Sequence, residues 1–136
     1  MEDCIFCKIV KNEIPSIKIY EADKVLAFLD INPHNKGHTL VITKDHHETF
    51  DKLPKDILTD MIKVTQNVAK AVVEATSCHG FNIIMNNHKS AGQLVPHVHF
   101  HVVPRFDKDG VAGRWKTKKY DEGEMNEYAK GIKKRL

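Results

Sequence analysis

Apolar residues recur along this chain with two different periods. Ile57, Met61, Val64, Val68, Ala71 and Val72 fall at helical spacing within a stretch free of glycine, which predicts one long helix over Leu53–Thr76. Elsewhere the apolar runs are short and β-branched. Ile17–Glu21, Val25–Leu29, His38–Thr43, Gly80–Met85 and His97–Val103 read as strands, the last stopped by Pro104. Asp30–Gly37, with Pro33, Asn35 and Gly37, reads as a loop, and so does the polar stretch Asn86–Gln93, with Gly92 near its end. Cys4–Lys11 carries Ile5, Phe6, Ile9 and Val10 and reads as a short amphipathic helix or turn that Pro15 closes. Asp121–Arg135 reads as a final helix whose basic end suits the helix dipole. Strands, one long helix, then more strands predict an α+β fold: an antiparallel sheet with the long helix on one face, in one domain over residues 1–136.

Composition narrows the function classes. The chain has 136 residues, 41% hydrophobic and 29% charged, a globular mix. Its formal net charge of +3 does not demand nucleic acid and suits a small anionic ligand equally well. No apolar run reaches the ~20 residues of a membrane helix, and the acidic start Asp3-Cys4 lacks a basic leader region. The expectation is a soluble, cytoplasmic protein. Three cysteines, Cys4, Cys7 and Cys78, are an odd count that argues against a disulfide framework. Cys4-x-x-Cys7 has the spacing of half a metal site or of a redox pair. Cys78 reads as an unpaired, partly buried thiol at the end of the long helix. The basic segment Arg114–Lys119 and the end Lys133-Lys134-Arg135 read as solvated surface rather than a nucleic-acid site.

The most informative stretch is His97-Val98-His99-Phe100-His101-Val102-Val103. Strand period two puts the three imidazoles on one face and Val98, Phe100 and Val102 on the other. Same-face neighbours lie about 6.5–7 Å apart along a strand, so three histidines of one straight strand do not converge easily on a single ion. Neutral imidazole is, however, a good nucleophile toward phosphorus and leaves well once protonated. It needs one ring nitrogen free and the other held by an acceptor. It also needs donors around the phosphate and an acid for the leaving group. There is no G-x-x-x-x-G-K-[ST] loop, which excludes a P-loop mechanism. Three exposed surface histidines are the bland alternative.

These residues resemble the His-φ-His-φ-His-φ-φ signature of the histidine triad (HIT) family of nucleotide-binding hydrolases and transferases. The resemblance extends to Ala91-Gly92-Gln93, Pro104-Arg105, Ile5–Val10 with Glu13-Ile14-Pro15, Leu26–Ile31 and Gly37–Ile42. It is nearest to short prokaryotic members of the nucleoside-phosphoramidase branch that carry an N-terminal C-x-x-C. The resemblance implies the HIT fold, a purine nucleotide substrate, a homodimer whose sheets join side by side, and cleavage at the α-phosphorus through a nucleotidyl-histidine. It implies His99 as the nucleophile, His101 as a phosphate contact and proton-transfer group, and His38 as support for the cluster. It further implies Asn86 and Gln93 as phosphate-side donors, Asp30 as the ribose carboxylate, and Ile5, Phe6, Ile9, Ile14, Phe28 and Ile31 as the base pocket. Core packing is the alternative for those apolar residues, and a loop cap for Asp30.

The same resemblance completes a structural zinc site with Cys4, Cys7, His46 and His97, His47 being the alternative to His46. It places Trp115 at the leaving-group rim. Leu94 stands where the animal branch often has serine, and Pro96 replaces an aromatic, a change shared with the dinucleotide-hydrolase branch. His101, where uridylyltransferase relatives carry glutamine, favours water as acceptor. A dinucleoside polyphosphate hydrolase of the same fold, and a zinc-stabilised nucleotide-binding module without turnover, are the rival readings. No role is assigned to His34, His79 or His88.

Overall fold

A computed structural model describes residues 3–111 and 117–136. The order is α1 (Ile5–Val10), β1 (Lys18–Glu21), β2 (Val25–Leu29), β3 (Thr39–Thr43), α2 (Lys55–Thr76), β4 (Gly80–Ile84), β5 (His99–Arg105) and α3 (Glu124–Lys133). Short 3-10 turns at Phe50–Lys52 and Lys89–Ala91 interrupt the loops. The strands form one antiparallel sheet in the order β1-β2-β3-β5-β4. The expected α+β architecture is the observed one.

Alternation along the strands sorts the core into two layers. Val25, Ala27, Val41, Phe100 and Val102 face α2 and meet its stripe of Ile57, Met61, Val64, Val68, Ala69 and Val72. Leu26, Phe28, Leu40 and Ile42 face the opposite way and bury Cys4, Phe6 and Ile9 of the α1 segment. The triad residues of β5 lie on this second face, because His99 pairs with Ile42 and His101 with Leu40. α2 therefore builds the back of the site and α1 its side wall.

Three elements differ from the sequence reading by more than one residue at an end, each for a local reason. α2 begins at Lys55, not Leu53, because Pro54 occupies the N-cap in an extended conformation. α3 spans Glu124–Lys133 instead of Asp121–Arg135, starting after Gly123 in the left-handed region. β5 runs from His99 through Pro104 to Arg105, so Pro104 does not stop it and His97 precedes it. Pro104 turns its imide nitrogen and carbonyl away from β4, where β3 no longer pairs, and Asn35 Nδ2 donates to that carbonyl at 2.8 Å. No ladder bond is lost there, which is why proline is tolerated.

Asn35 belongs to a lock behind the site. Its Nδ2 also donates to Asp109 at 3.0 Å, and Arg105 grips both Asp109 oxygens through Nε and Nη2 at 2.9 and 3.0 Å. The amides of Phe106 and Val111 complete the shell. The Arg105 guanidinium, with these amides, holds the Asp109 carboxyl far below its usual range. The loop between β2 and β3 is thereby fastened to the end of β5. In that loop Gly37 has φ +99°, and a Cβ there would stand 2.8 Å from Thr76 Cγ2 at the end of α2.

Candidate active site

His99 is buried and donates from Nδ1 to the carbonyl of His97 at 2.6 Å. Its Nε2 is unbonded among the described residues, and its ring lines a cleft of about 440 Å3. The proton therefore sits on Nδ1, and Nε2 keeps its lone pair. His101, the next same-face residue, packs at 4.9 Å ring to ring against His99.

The tautomer of His101 follows from a chain of bonds. The backbone amide of His34 donates to His38 Nδ1 at 3.1 Å, so His38 carries its proton on Nε2. That Nε2–H donates to His101 Nδ1 at 2.9 Å, which leaves the His101 proton on Nε2. His38 can reach His101 because it immediately precedes β3, two residues before Leu40, the partner of His101. Asp30 Oδ2 lies 3.7 Å from His38 Nε2, while its Oδ1 accepts the Asn32 amide at 2.8 Å in a local turn. Burial keeps all these imidazoles neutral. It pushes His101 down to about 4, with His99 and His38 adding to the effect, and it lowers His38 and His99.

Ile5, Phe6, Asp30, Ile31 and Asn86 also line the cleft. Ile9 and Phe28 do not: they are buried where α1 meets the sheet, and Ile14 packs beside them. Gln93 is also elsewhere. Its Nε2 donates to the Glu48 carbonyl and its Oε1 accepts the His88 amide, each at 2.7 Å, so both ends brace the loop. An uninterrupted apolar run does not tell base wall from core. A glutamine in a loop does not announce whether it faces substrate or backbone.

The cleft adds His34, Asn32, Leu94 and Val95. His34 lies parallel to His38, ring centroids 5.2 Å apart and 14° between planes, and nothing in the local pattern marks it. Leu94 is 93% exposed at the rim. Trp115 and Arg114 lie outside the described residues.

A second cluster flanks the first. Nδ1 of His97 stands 3.3 Å from Cys4 Sγ and 3.6 Å from Cys7 Sγ, and His46 Nδ1 stands 3.4 Å from Cys7 Sγ. All four ligand atoms lie within 4.8 Å of one another. Tetrahedral zinc with bonds of about 2.0–2.3 Å requires donor separations of about 3.3–3.8 Å. The donors fit a closed four-ligand site. His97 donates from Nε2 to the Thr43 carbonyl at 2.7 Å, which turns the Nδ1 lone pair toward the sulfurs. Burial pushes its pKa down to about 4 and lowers that of His46, so both imidazoles are available as neutral ligands. His47 is not in the cluster; its ring Nε2 is buried without a partner among the described residues. Among the described residues the cysteines form no disulfide.

The model of the HIT domain family matches residues 11–108. This chain belongs to the HIT family. Among HIT relatives, an uncharacterized HIT-like protein of Methanocaldococcus jannaschii is 47% identical over 129 residues, covering 94% of this chain and 99% of its own. The adenosine 5'-monophosphoramidase of Saccharomyces cerevisiae is 40% identical over 134 residues, covering 98% of this chain and 82% of its own. The crystal structure of a HIT protein of Bacillus subtilis superposes with a TM-score of 0.91 at 40% identity, over 98% of this chain and 97% of the other. A zinc-bound HIT protein of Mycobacterium smegmatis superposes with a TM-score of 0.77 at 35% identity, over 99% of each chain. The named hydrolases among the relatives make hydrolysis the activity class of this HIT protein, and the Cys/His cluster is one that could hold a metal ion.

Proposed function

We propose that this protein is a nucleoside 5'-phosphoramidate hydrolase working through a covalent nucleotidyl-histidine. The observation that carries the reading is the free Nε2 of His99, fixed in its nucleophilic tautomer at the floor of the cleft. A purine would pack against Ile5, Phe6 and Ile31, with Asp30 receiving the ribose hydroxyls and Asn86 beside the phosphate. Nε2 of His99 attacks the α-phosphorus and the P–N bond breaks. The anionic phosphate raises the pKa of His101, which is then protonated in the complex and gives its proton to the departing amine. Water attacks the phosphorus of the intermediate, His101 takes the water's proton, the bond from phosphorus to His99 Nε2 breaks to return the neutral imidazole, and the nucleoside monophosphate leaves.

Zinc is the metal that the Cys4, Cys7, His46 and His97 donors suit. With all four positions protein-filled, it would supply structure and no bound water. The yeast phosphoramidase supports the choice of substrate. A second copy of the chain would join along β4, an edge strand that leaves Phe81 and Ile83 nearly half exposed beside α2.

The test is AMP release from adenosine 5'-phosphoramidate and from diadenosine tetraphosphate, with His99→Ala as control. Faster phosphoramidate turnover, abolished in His99→Ala while AMP still binds, is the expected result. Preference for the tetraphosphate would move the protein to the rival branch. AMP binding without turnover on either substrate would make it a binding module.

A further inference from the structure

The two clusters are joined by one residue. His97 is fully buried and lies two residues before the β5 ladder, whose pairing with β3 begins at His99. Its carbonyl is therefore not placed by an inter-strand bond. It is placed by what holds the residue and its peptide: the amide bonded to the Val95 carbonyl at 2.8 Å, the Val98 amide of the same peptide bonded to the His47 carbonyl at 2.7 Å, Nε2–H bonded to the Thr43 carbonyl at 2.7 Å, and Nδ1 facing Cys4 and Cys7. That same carbonyl accepts the Nδ1 proton of His99. An imidazole in water divides between two tautomers, and the one with its proton on Nε2 has no lone pair to offer substrate. A second route runs through α1. Phe6, between the two cysteines, sets its ring edge-to-face against both His97 and His99, at 5.7 and 5.1 Å.

We propose that the Cys4–Cys7–His46–His97 centre, when it holds its cation, sets the tautomer of the nucleophile, and that His97 is the positioning residue that transmits it. The sulfur–imidazole contacts alone are weak hydrogen bonds. A metal–nitrogen bond at Nδ1 clamps the ring between the cation and the Thr43 carbonyl, and the main-chain carbonyl of His97 is clamped with it. The centre then acts on chemistry without touching substrate. This rests on the reading of His99 as nucleophile, but its primary readout requires no turnover.

The experiment follows the His99 ring by 15N NMR in histidine-labelled protein, with the signal assigned by its loss in His99→Gln. In the zinc-loaded protein His99 should show one protonated nitrogen, Nδ1, and one bare nitrogen, Nε2. Chelation should convert this to a mixture of tautomers and lower kcat on adenosine 5'-phosphoramidate about tenfold or more, the equivalent of about 1.4 kcal/mol. Re-addition of zinc should restore both. His97→Cys covers the case in which the metal-free chain unfolds. It keeps four ligands and binds zinc, but its shorter side chain draws the main chain toward the cation. It should therefore hold metal and melt as a folded protein while His99 shows the mixed tautomer.

A merely structural centre predicts otherwise. Metal loss, or His97→Cys, would lower the melting temperature and raise KM through a loosened Phe6, with the His99 tautomer and kcat unmoved. That result would overturn the proposal. If no phosphoramidate is hydrolysed yet the tautomer follows the metal, the proposed activity fails and the coupling stands.

Discussion

His38→Leu tests the proton chain directly. His38 is 1% exposed and makes two ring hydrogen bonds, from the His34 amide at 3.1 Å and to His101 Nδ1 at 2.9 Å. Leucine fills much of the same volume and removes both bonds. A buried polar group left without its partner costs about 1–3 kcal/mol. The His34 amide sits in an exposed loop where water can replace the imidazole, so most of the cost falls on His101. The expected loss of stability is then about 2–3 kcal/mol, read from urea denaturation. The kinetic effect is separate. Without His38 nothing holds the His101 proton on Nε2, and a positioned acid–base group is worth about 100- to 10,000-fold in rate. Single-turnover AMP release should slow about a hundredfold. AMP affinity should change little, because His38 stands behind His101 and does not line the cleft. If His38→Leu loses the expected stability but keeps its rate within a few-fold, the tautomer chain is not part of the chemistry.

The neutral cluster makes stability depend on pH in a stated direction. Burial pushes His101 from 6.5 down to about 4 and lowers His38, so the unfolded chain takes up these protons first. Stability is full above pH 6.5 and falls as the pH drops toward 4, by about 1.4 kcal/mol per pH unit for each site still neutral when folded. Urea midpoints at pH 7 and pH 5 check this, and His101→Gln should flatten the slope; equal slopes in the two proteins would refute it. Gly37→Ala puts a Cβ 2.8 Å from Thr76 Cγ2 on backbone at φ +99°. It should cost about 1–3 kcal/mol. Adding Thr76→Ala should return part of that loss, since it relieves the contact but not the strain.

Periodicity alone determined the long helix, the strand order along the chain and the facing of the triad. The α2 stripe recurs every three to four residues, and the alternation of His97–Val103 admits only the strand reading. These are local properties that any neighbour-to-neighbour pattern reveals. The end of β5 was not legible, because Pro104 is a strand breaker unless its imide nitrogen faces a side without a partner strand. That depends on where β3 stops.

The division of the apolar set was equally hidden. Ile5 and Phe6 reach the cleft while Ile9 and Phe28 are packed between α1 and the sheet, although all belong to similar apolar runs. Depth below a sheet is not a property of spacing. Nor could sequence assign a proton to a ring. His34 entered the site through a backbone amide, and Gln93 lies outside the cleft because the His88 amide of its own loop and the distant Glu48 carbonyl claim both its ends. The chain carries its chemistry in residue types and short spacings. The direction of each lone pair is decided by the partner that the fold sets against the other ring nitrogen: the distant Thr43 carbonyl for His97, the nearby His97 carbonyl for His99 and the His38 ring for His101.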